Sequence, residues 1–323
     1  MNKVSVGVLG ASGYAGRELC ALVARHPNME LAFAAAHSRA GEQIRVAGRE
    51  LTLAAAADVR LDQADVVFSA LPHGASAQWA ATARDAGAKV VDLSADLRPG
   101  NELAGTLGDV PYGLTELMRD AVSGARVVAN PGCYPTAILL ALAPVFARGL
   151  AVPGATIHVA AASGVSGAGA SPKPELLFAE VTEDYRAYGV GNEHRHLNEM
   201  RAMTSALGAD NDLLFTPHLL PVARGILATI TVPVTERLGT PAAVWREMYA
   251  GEPFIEMSDR PPTLRDVTYR NVVRISVSHA ANVRTPTLII LAAIDNLVKG
   301  AAGQAIQNAN VMCGFDETAG LIA

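Results

Sequence analysis

Residues 4–16 constrain this chain more than any other stretch. Val4 to Leu9 alternates apolar β-formers with Ser and Gly. Gly10-Ala-Ser-Gly13-Tyr-Ala-Gly16 then opens a segment, Arg17 to Arg25, whose apolar positions recur at helical spacing. The pattern predicts strand, glycine turn, helix. Glycines three apart let backbone approach a pyrophosphate, and the helix start offers unpaired N–H groups and the positive end of its dipole. The spacing is G-x-x-G-x-x-G rather than G-x-G-x-x-G, so the flanking strand and helix carry the reading. It points to a dinucleotide, held by Gly10, Ser12, Gly13, Tyr14, Ala15 and Gly16. The plain alternative is a turn that only needs glycine's positive φ.

Further apolar runs at 31–36, 64–71 and 88–93 alternate with helical patterns, which predicts right-handed crossovers, a parallel sheet, and a ligand at the strands' C-terminal ends. Beyond a helical run ending near Leu150 the texture changes to β-rich stretches at 156–162, 227–234, 272–278 and 287–294. The expected fold is therefore α/β: a Rossmann-type dinucleotide domain (1–150 with 298–323, the last helix packing back) and an α+β catalytic and oligomerisation domain with a mixed sheet (151–297). A length of 323 residues suits two domains, and a half-hydrophobic, 18% charged composition excludes a disordered chain.

The partner class follows from charge and cysteines. Lys and Arg number 26 against 31 Asp and Glu, a net charge of −5, which argues against nucleic acid or an anionic membrane and for a small molecule. No apolar stretch reaches the ~20 residues of a membrane span. Cys20, Cys133 and Cys313 fall in no paired spacing, so neither a disulfide framework nor a metal site is expected, and a reducing, cytoplasmic setting fits.

The second strand ends in His37-Ser38-Arg39, where an NAD protein places a carboxylate on the ribose. A hydroxyl and a guanidinium at Ser38 and Arg39 suit a 2′-phosphate instead, so NADP(H) is the expected cofactor. Leu71 and Pro72, closing the third strand, are expected beside it.

Asn130-Pro-Gly-Cys133-Tyr-Pro-Thr136 follows an apolar strand and precedes a helical run, which puts Cys133 at a helix N-terminus. The dipole there favours thiolate, the form that attacks a carbonyl carbon. Such a nucleophile beside a nicotinamide suggests an acyl group held as thioester while hydride is delivered, and that chemistry needs a proton carrier near neutrality. His194 and His196, in Gly191-Asn-Glu-His-Arg-His196, and His218, in Phe215-Thr-Pro-His218, are the candidates.

With these motifs the chain resembles the N-acetyl-gamma-glutamyl-phosphate reductase family of arginine biosynthesis, related to aspartate-semialdehyde dehydrogenases. The likeness also runs through Ser69 to His73, Asp92 to Arg98, Val110 to Gly113, Ser163 to Gly169, Phe215 to Ile226 and Ala293 to Ala305. It implies reduction of an acyl phosphate to an aldehyde by NADPH, with Cys133 as nucleophile and protonated His194 as acid, His196 and His218 staying open as alternatives. Arg98 is implied for the phosphate, and Arg195 and Arg224 for a substrate carboxylate. Ser163, Gly164, Ser166 and Gly167 would approach the substrate or the nicotinamide, and Asn296 would lie on the nicotinamide side. Family members are usually oligomeric, so a homodimer or homotetramer is expected. The pattern departs at Ala170-Ser-Pro-Lys173, where many members carry a basic residue directly after Gly169, and at Thr263 to Val273. Two other readings stay open: a sister reductase of aminoadipyl or carrier-linked acyl phosphate, and a non-catalytic NADP sensor.

Overall fold

The computed structural model describes residues 3–322 and divides into two compact units, one running to Gly132 and resuming at Ala301–Ile322, the other Cys133–Gly300.

In the first unit β1 (Val4–Leu9), β2 (Met29–Ala36), β5 (Ala54–Ala55), β6 (Val66–Ser69), β7 (Lys89–Asp92) and β8 (Val127–Ala129) form a sheet in the order β5-β2-β1-β6-β7-β8. Every pairing in it is parallel. A small hairpin, β3 (Gln43–Val46) and β4 (Arg49–Thr52), interrupts the series. The order reverses between β1 and β6, the switch point at which open α/β sheets bind ligands. Helices α1 (Tyr14–Arg25), α2 (Ser76–Asp85), α3 (Thr115–Ser123) and α8 (Gly303–Cys313) complete the unit, and α8 packs on α3 and α1 as the sequence predicts.

The second unit is built on a mixed sheet in the order β10-β11-β9-β12-β15-β14-β13. Its strands are β9 (Ile157–Gly164), β10 (Arg186–Ala187), β11 (Leu213–Leu220), β12 (Ile226–Pro233), β13 (Ile255–Met257), β14 (Val273–His279) and β15 (Thr287–Ile294). α4 (Cys133–Ala147), α6 (His196–Ala206) and α7 (Ala242–Met248) belong to the same unit, as does the single turn α5 (Phe178–Val181).

Two expectations need correction. The boundary lies at Gly132/Cys133, not near residue 150, because α4 is apolar on every side: Tyr134 through Val145 are all buried, and the helix packs on β12, β15, α6 and α7. Strand β11 runs through Pro217, in a stretch outside the β-rich runs that the sequence predicts. Pro217 is tolerated because its carbonyl accepts from Tyr188 N, so its missing N–H faces the same side, where the sheet ends in the two-residue β10.

Candidate active site

The glycine turn has the bare, closely packed backbone that the expected phosphate cradle requires. Gly10 has φ 79°, and a Cβ on it would stand 2.3 Å from the Ala70 carbonyl oxygen; one on Gly16 would stand 2.2 Å from the Gly10 oxygen. Only bare backbone fits between β1, α1 and the end of β6. Gly13 caps α1 with no side-chain hydrogen bond, so the helix start keeps its donors for a ligand. Ser12, Tyr14 and Ala15 lie in the same turn and first helical residues.

Leu71 and Pro72 follow β6, and the loop they begin is fixed by acid groups. Asp96 accepts from the backbone N–H groups of Gly74, Ser76 and Ala77 and pairs with His73 Nδ1 at 2.6 Å. Asp92 accepts from Ser76 Oγ and Ser94 Oγ. The carboxylates of Asp92-Leu-Ser-Ala-Asp96 thus cap α2 and hold the loop. Ser38 and Arg39 sit in the turn after β2, with the Arg39 guanidinium paired to Glu42 at 2.6 Å.

Arg98 is buried, with Nε donating to the Asn130 carbonyl (2.8 Å) and Nη2 to that of Leu93 (2.7 Å). The cation implied for phosphate therefore braces the Asn130-Pro-Gly turn that precedes Cys133. Asn130 is itself tied to Ala301 O and to Asn308.

In the second unit Cys133 is the first residue of α4, as its sequence context predicts, and lines a cavity of about 580 Å³ with Tyr134, Ser163, Gly164, Gly167, Tyr188, His194, Arg195 and His196. The His194 ring is enclosed by Tyr134 (5.5 Å between centroids), Phe215 (5.5 Å), Tyr188 (5.7 Å) and His196 (4.7 Å). This burial, with the positive charge of Arg195 second, pulls the imidazole down to about 4. His194 Nδ1 accepts from the His196 backbone N–H (3.2 Å), which leaves the proton of the neutral ring on Nε2. The acid implied for His194 in its protonated form meets an obstacle here: at neutral pH imidazolium is a small minority at this position.

His196 has the opposite surroundings. Its Nε2 lies 4.0 Å from the Glu199 carboxylate, both side chains being almost closed to solvent. The carboxylate thus faces the ring from the next turn of the helix. The sequence contains this signal, since a Glu three residues after a His on a helix shares its face. Tyr188 has no such local mark. Its hydroxyl meets that of Tyr134 at 3.0 Å; the residue is 37% exposed, yet the desolvated position of its phenol, with the charge of Cys133 adding to it, pushes Tyr188 up to about 12. Tyr188 is thus a neutral hydrogen-bonding group beside the thiol.

The remaining candidates separate. His218 stacks on Tyr185 (5.0 Å, 12° between planes), and its carbonyl accepts from the Tyr134 hydroxyl. Arg224 is paired with the buried Asp295 (3.5 Å) and lies over the Tyr269 ring at 4.6 Å. Asn296 is buried with both ends of its amide engaged: Oδ1 accepts from Gly225 N (2.7 Å) and Nδ2 donates to Ser166 Oγ (2.9 Å). It clamps the glycine loop to the 222–225 turn, where Gly164 fits because a Cβ would strike the Val222 oxygen and the Arg224 nitrogen, both at 2.8 Å. Ser163 Oγ donates to Gly164 O, and Gly167 remains exposed. Of the cations on the cavity wall, Arg186 is tied to Asp184 and to the carbonyls of Glu175 and Glu180, whereas Arg195 and Lys173 are exposed.

A switch-point nucleotide cradle and a second unit bearing a helix-start cysteine beside histidines define a semialdehyde-dehydrogenase-type oxidoreductase, and the family comparisons agree: residues 5–125 match the semialdehyde dehydrogenase NAD binding domain and residues 133–296 the semialdehyde dehydrogenase dimerisation domain. N-acetyl-gamma-glutamyl-phosphate reductase from Salinispora arenicola is 46% identical, covering 99% of this chain and 98% of its own. The enzyme of that name from Halorhodospira halophila is 41% identical over 98% of both chains. The chain belongs to the N-acetyl-gamma-glutamyl-phosphate reductase family. Among solved structures, aspartate semialdehyde dehydrogenase II from Vibrio cholerae, complexed with ASA, superimposes with a TM-score of 0.78 at 20% identity, covering 97% of this chain and 99% of that one.

Proposed function

We propose that this chain reduces N-acetyl-gamma-glutamyl phosphate to N-acetylglutamate 5-semialdehyde and phosphate, using NADPH, in arginine biosynthesis. The observation that carries the reading is the placement of Cys133 at the start of α4, on the wall of the cavity that His194 and His196 also line. A sensor would have no use for that arrangement, which disfavours the non-catalytic alternative, and the relatives' shared name favours the N-acetylglutamyl substrate over an aminoadipyl or carrier-linked one.

The cradle of Gly10, Gly13 and Gly16 fits a dinucleotide, since bare backbone and open helix donors are what a pyrophosphate needs, and Ser38 and Arg39 would hold the 2′-phosphate. Bound there, the cofactor supplies the hydride that reduces the acyl carbon. The protein does the rest. The Cys133 thiolate forms a bond to the acyl carbon, and the carbon–oxygen bond to phosphate breaks, leaving a thioester on Sγ. Arg195 and Lys173 are the exposed cations on the cavity wall and would meet the substrate's negative groups. After reduction the oxyanion on the former carbonyl carbon re-forms the C=O bond as the C–S bond breaks, which releases aldehyde, and the departing sulfur takes up a proton to restore the thiol.

His196 is the proton carrier this geometry favours, with Glu199 behind it, while neutral His194 keeps its Nε2–H available to donate to substrate. The match to a dimerisation domain supports assembly as a homodimer or homotetramer. No helix among the described residues is long and apolar enough to cross a membrane, and a cytoplasmic enzyme is the corresponding proposal.

The test is NADPH oxidation with N-acetyl-gamma-glutamyl phosphate, or the phosphate-dependent reverse reaction, for wild type and Cys133→Ser. Turnover that collapses in the variant supports the reading. NADPH binding without turnover in wild type would refute it.

A further inference from the structure

The turn after β15 presses on the nucleophile. Gly300 N donates to Asp295 O at 2.9 Å, an i→i−5 bond that winds Val298–Ala302 as a π-turn. Such turns insert one residue into a helix and are frequent at functional positions. Here the insertion sets Gly300 against Cys133. A Cβ on Gly300 would lie 2.8 Å from the Cys133 β-carbon, 3.2 Å from its Cα and 3.1 Å from Ile294 Cδ1.

Neither side of this contact can retreat easily. Behind Cys133, α4 is buried from Tyr134 to Val145. Behind Gly300, the fully buried Asp295 fixes the turn: Oδ1 accepts from Leu297 N (2.8 Å) and Val298 N (3.2 Å), and Oδ2 accepts from Tyr269 N (2.7 Å) and pairs with Arg224. Lys299, next to Gly300, is also fully buried, its Nζ 5.5 Å from the centre of the Phe254 ring. An added methyl at 300 would therefore press on Cys133 Cβ and Cα, which no rotamer change can move, and would shift the start of α4 together with the sulfur it carries.

We infer that Gly300, held by Asp295 through the π-turn, is a positioning residue that sets where Cys133, and with it the sulfur, stands at the start of α4. The inference rests on Cys133 being the nucleophile. Attack requires reacting atoms about 3–3.5 Å apart and aligned, and a misplacement of about 1 Å costs on the order of 100-fold in rate.

The experiment compares wild type, Gly300→Ala, Asp295→Asn, Cys133→Ser and the control Gly239→Ala, whose added Cβ meets nothing within 4 Å. Each is assayed for kcat and KM, for NADPH binding by fluorescence, and for the pH profile of iodoacetamide alkylation at Cys133, read by peptide mass. In Gly300→Ala, kcat should fall at least about tenfold with KM and NADPH affinity within about threefold of wild type, and the alkylation profile should change. Asp295→Asn, which adds no atom, should show the same split in milder form, and Gly239→Ala should match wild type. A Gly300→Ala enzyme with wild-type kcat and alkylation overturns the inference. So does loss of native circular dichroism in both turn variants, which would make the turn a folding element only. If Cys133→Ser turns over normally, the thioester reading itself has failed; if it is dead while Gly300→Ala is normal, only the positioning role has.

Discussion

The Glu199 carboxylate lies 4.0 Å from Nε2 of His196, one helical turn along α6, at 1% exposure. Both side chains are almost closed to solvent, so a change at Glu199 acts on the His196 ring with little screening. Glu199→Gln keeps the shape and removes the charge. In the reductive direction kcat should fall by about 10–100-fold, because the ring loses the carboxylate beside it. His196→Asn should cost more, and His194→Asn less. An unchanged kcat in Glu199→Gln would remove the carboxylate from the proton path.

His194 makes a prediction about stability. Its ring is held near 4 in the folded protein against an ordinary value of 6.5. Between those values the unfolded chain binds more protons, so stability should rise with pH through the window and be lost as pH falls from 6.5 toward 4. Denaturant midpoints at the two ends of the window should differ less in His194→Asn than in wild type. Parallel slopes would show that the ring titrates normally in the fold.

The sequence made the first unit legible because its signals are local: strand, glycine turn and helix follow one another within residues 4–25. Cys133 was legible for the same reason. Whether a cation is open to substrate is not a local property. Arg224 meets Asp295 across 71 residues and Arg98 meets Asn130 across 32, so neither partner could be read from the neighbouring sequence. The contact of Gly300 with Cys133 lies in the same class. By contrast Glu199 was within reach, since His and Glu three apart on a helix face each other. Strand β11 was obscured by Pro217, whose cost depends on which edge of the sheet it faces.

Arg39 pairs with Glu42 across an exposed turn, both side chains being more than a third exposed. Such a pair is weak and can be exchanged for a phosphate, whose bonds to a guanidinium are charge-assisted and bidentate. Arg39→Ala should weaken NADPH binding by about 10–100-fold while leaving NADH nearly unchanged. Glu42→Gln, by removing the competitor, should tighten NADPH modestly. Titrations of both cofactors against both variants check this, and equal losses for NADH and NADPH in Arg39→Ala would place the 2′-phosphate elsewhere.

Pro144 lies inside α4, and its missing N–H takes away the helical partner of the Leu140 carbonyl. The Tyr249 hydroxyl donates to that oxygen at 2.6 Å from α7's C-terminal end, inside the core. Tyr249→Phe keeps the ring and strands the carbonyl, so the loss should reach the cost of a buried unsatisfied acceptor, about 1–3 kcal/mol, rather than that of an ordinary exposed hydrogen bond. The free energy from urea unfolding of wild type and Tyr249→Phe measures it. Because α4 carries Cys133 at its far end, beyond two turns of buried helix, KM and kcat of the folded variant should stay within about twofold of wild type. A loss below about 0.5 kcal/mol would mean that the Leu140 carbonyl finds another donor once the hydroxyl is gone.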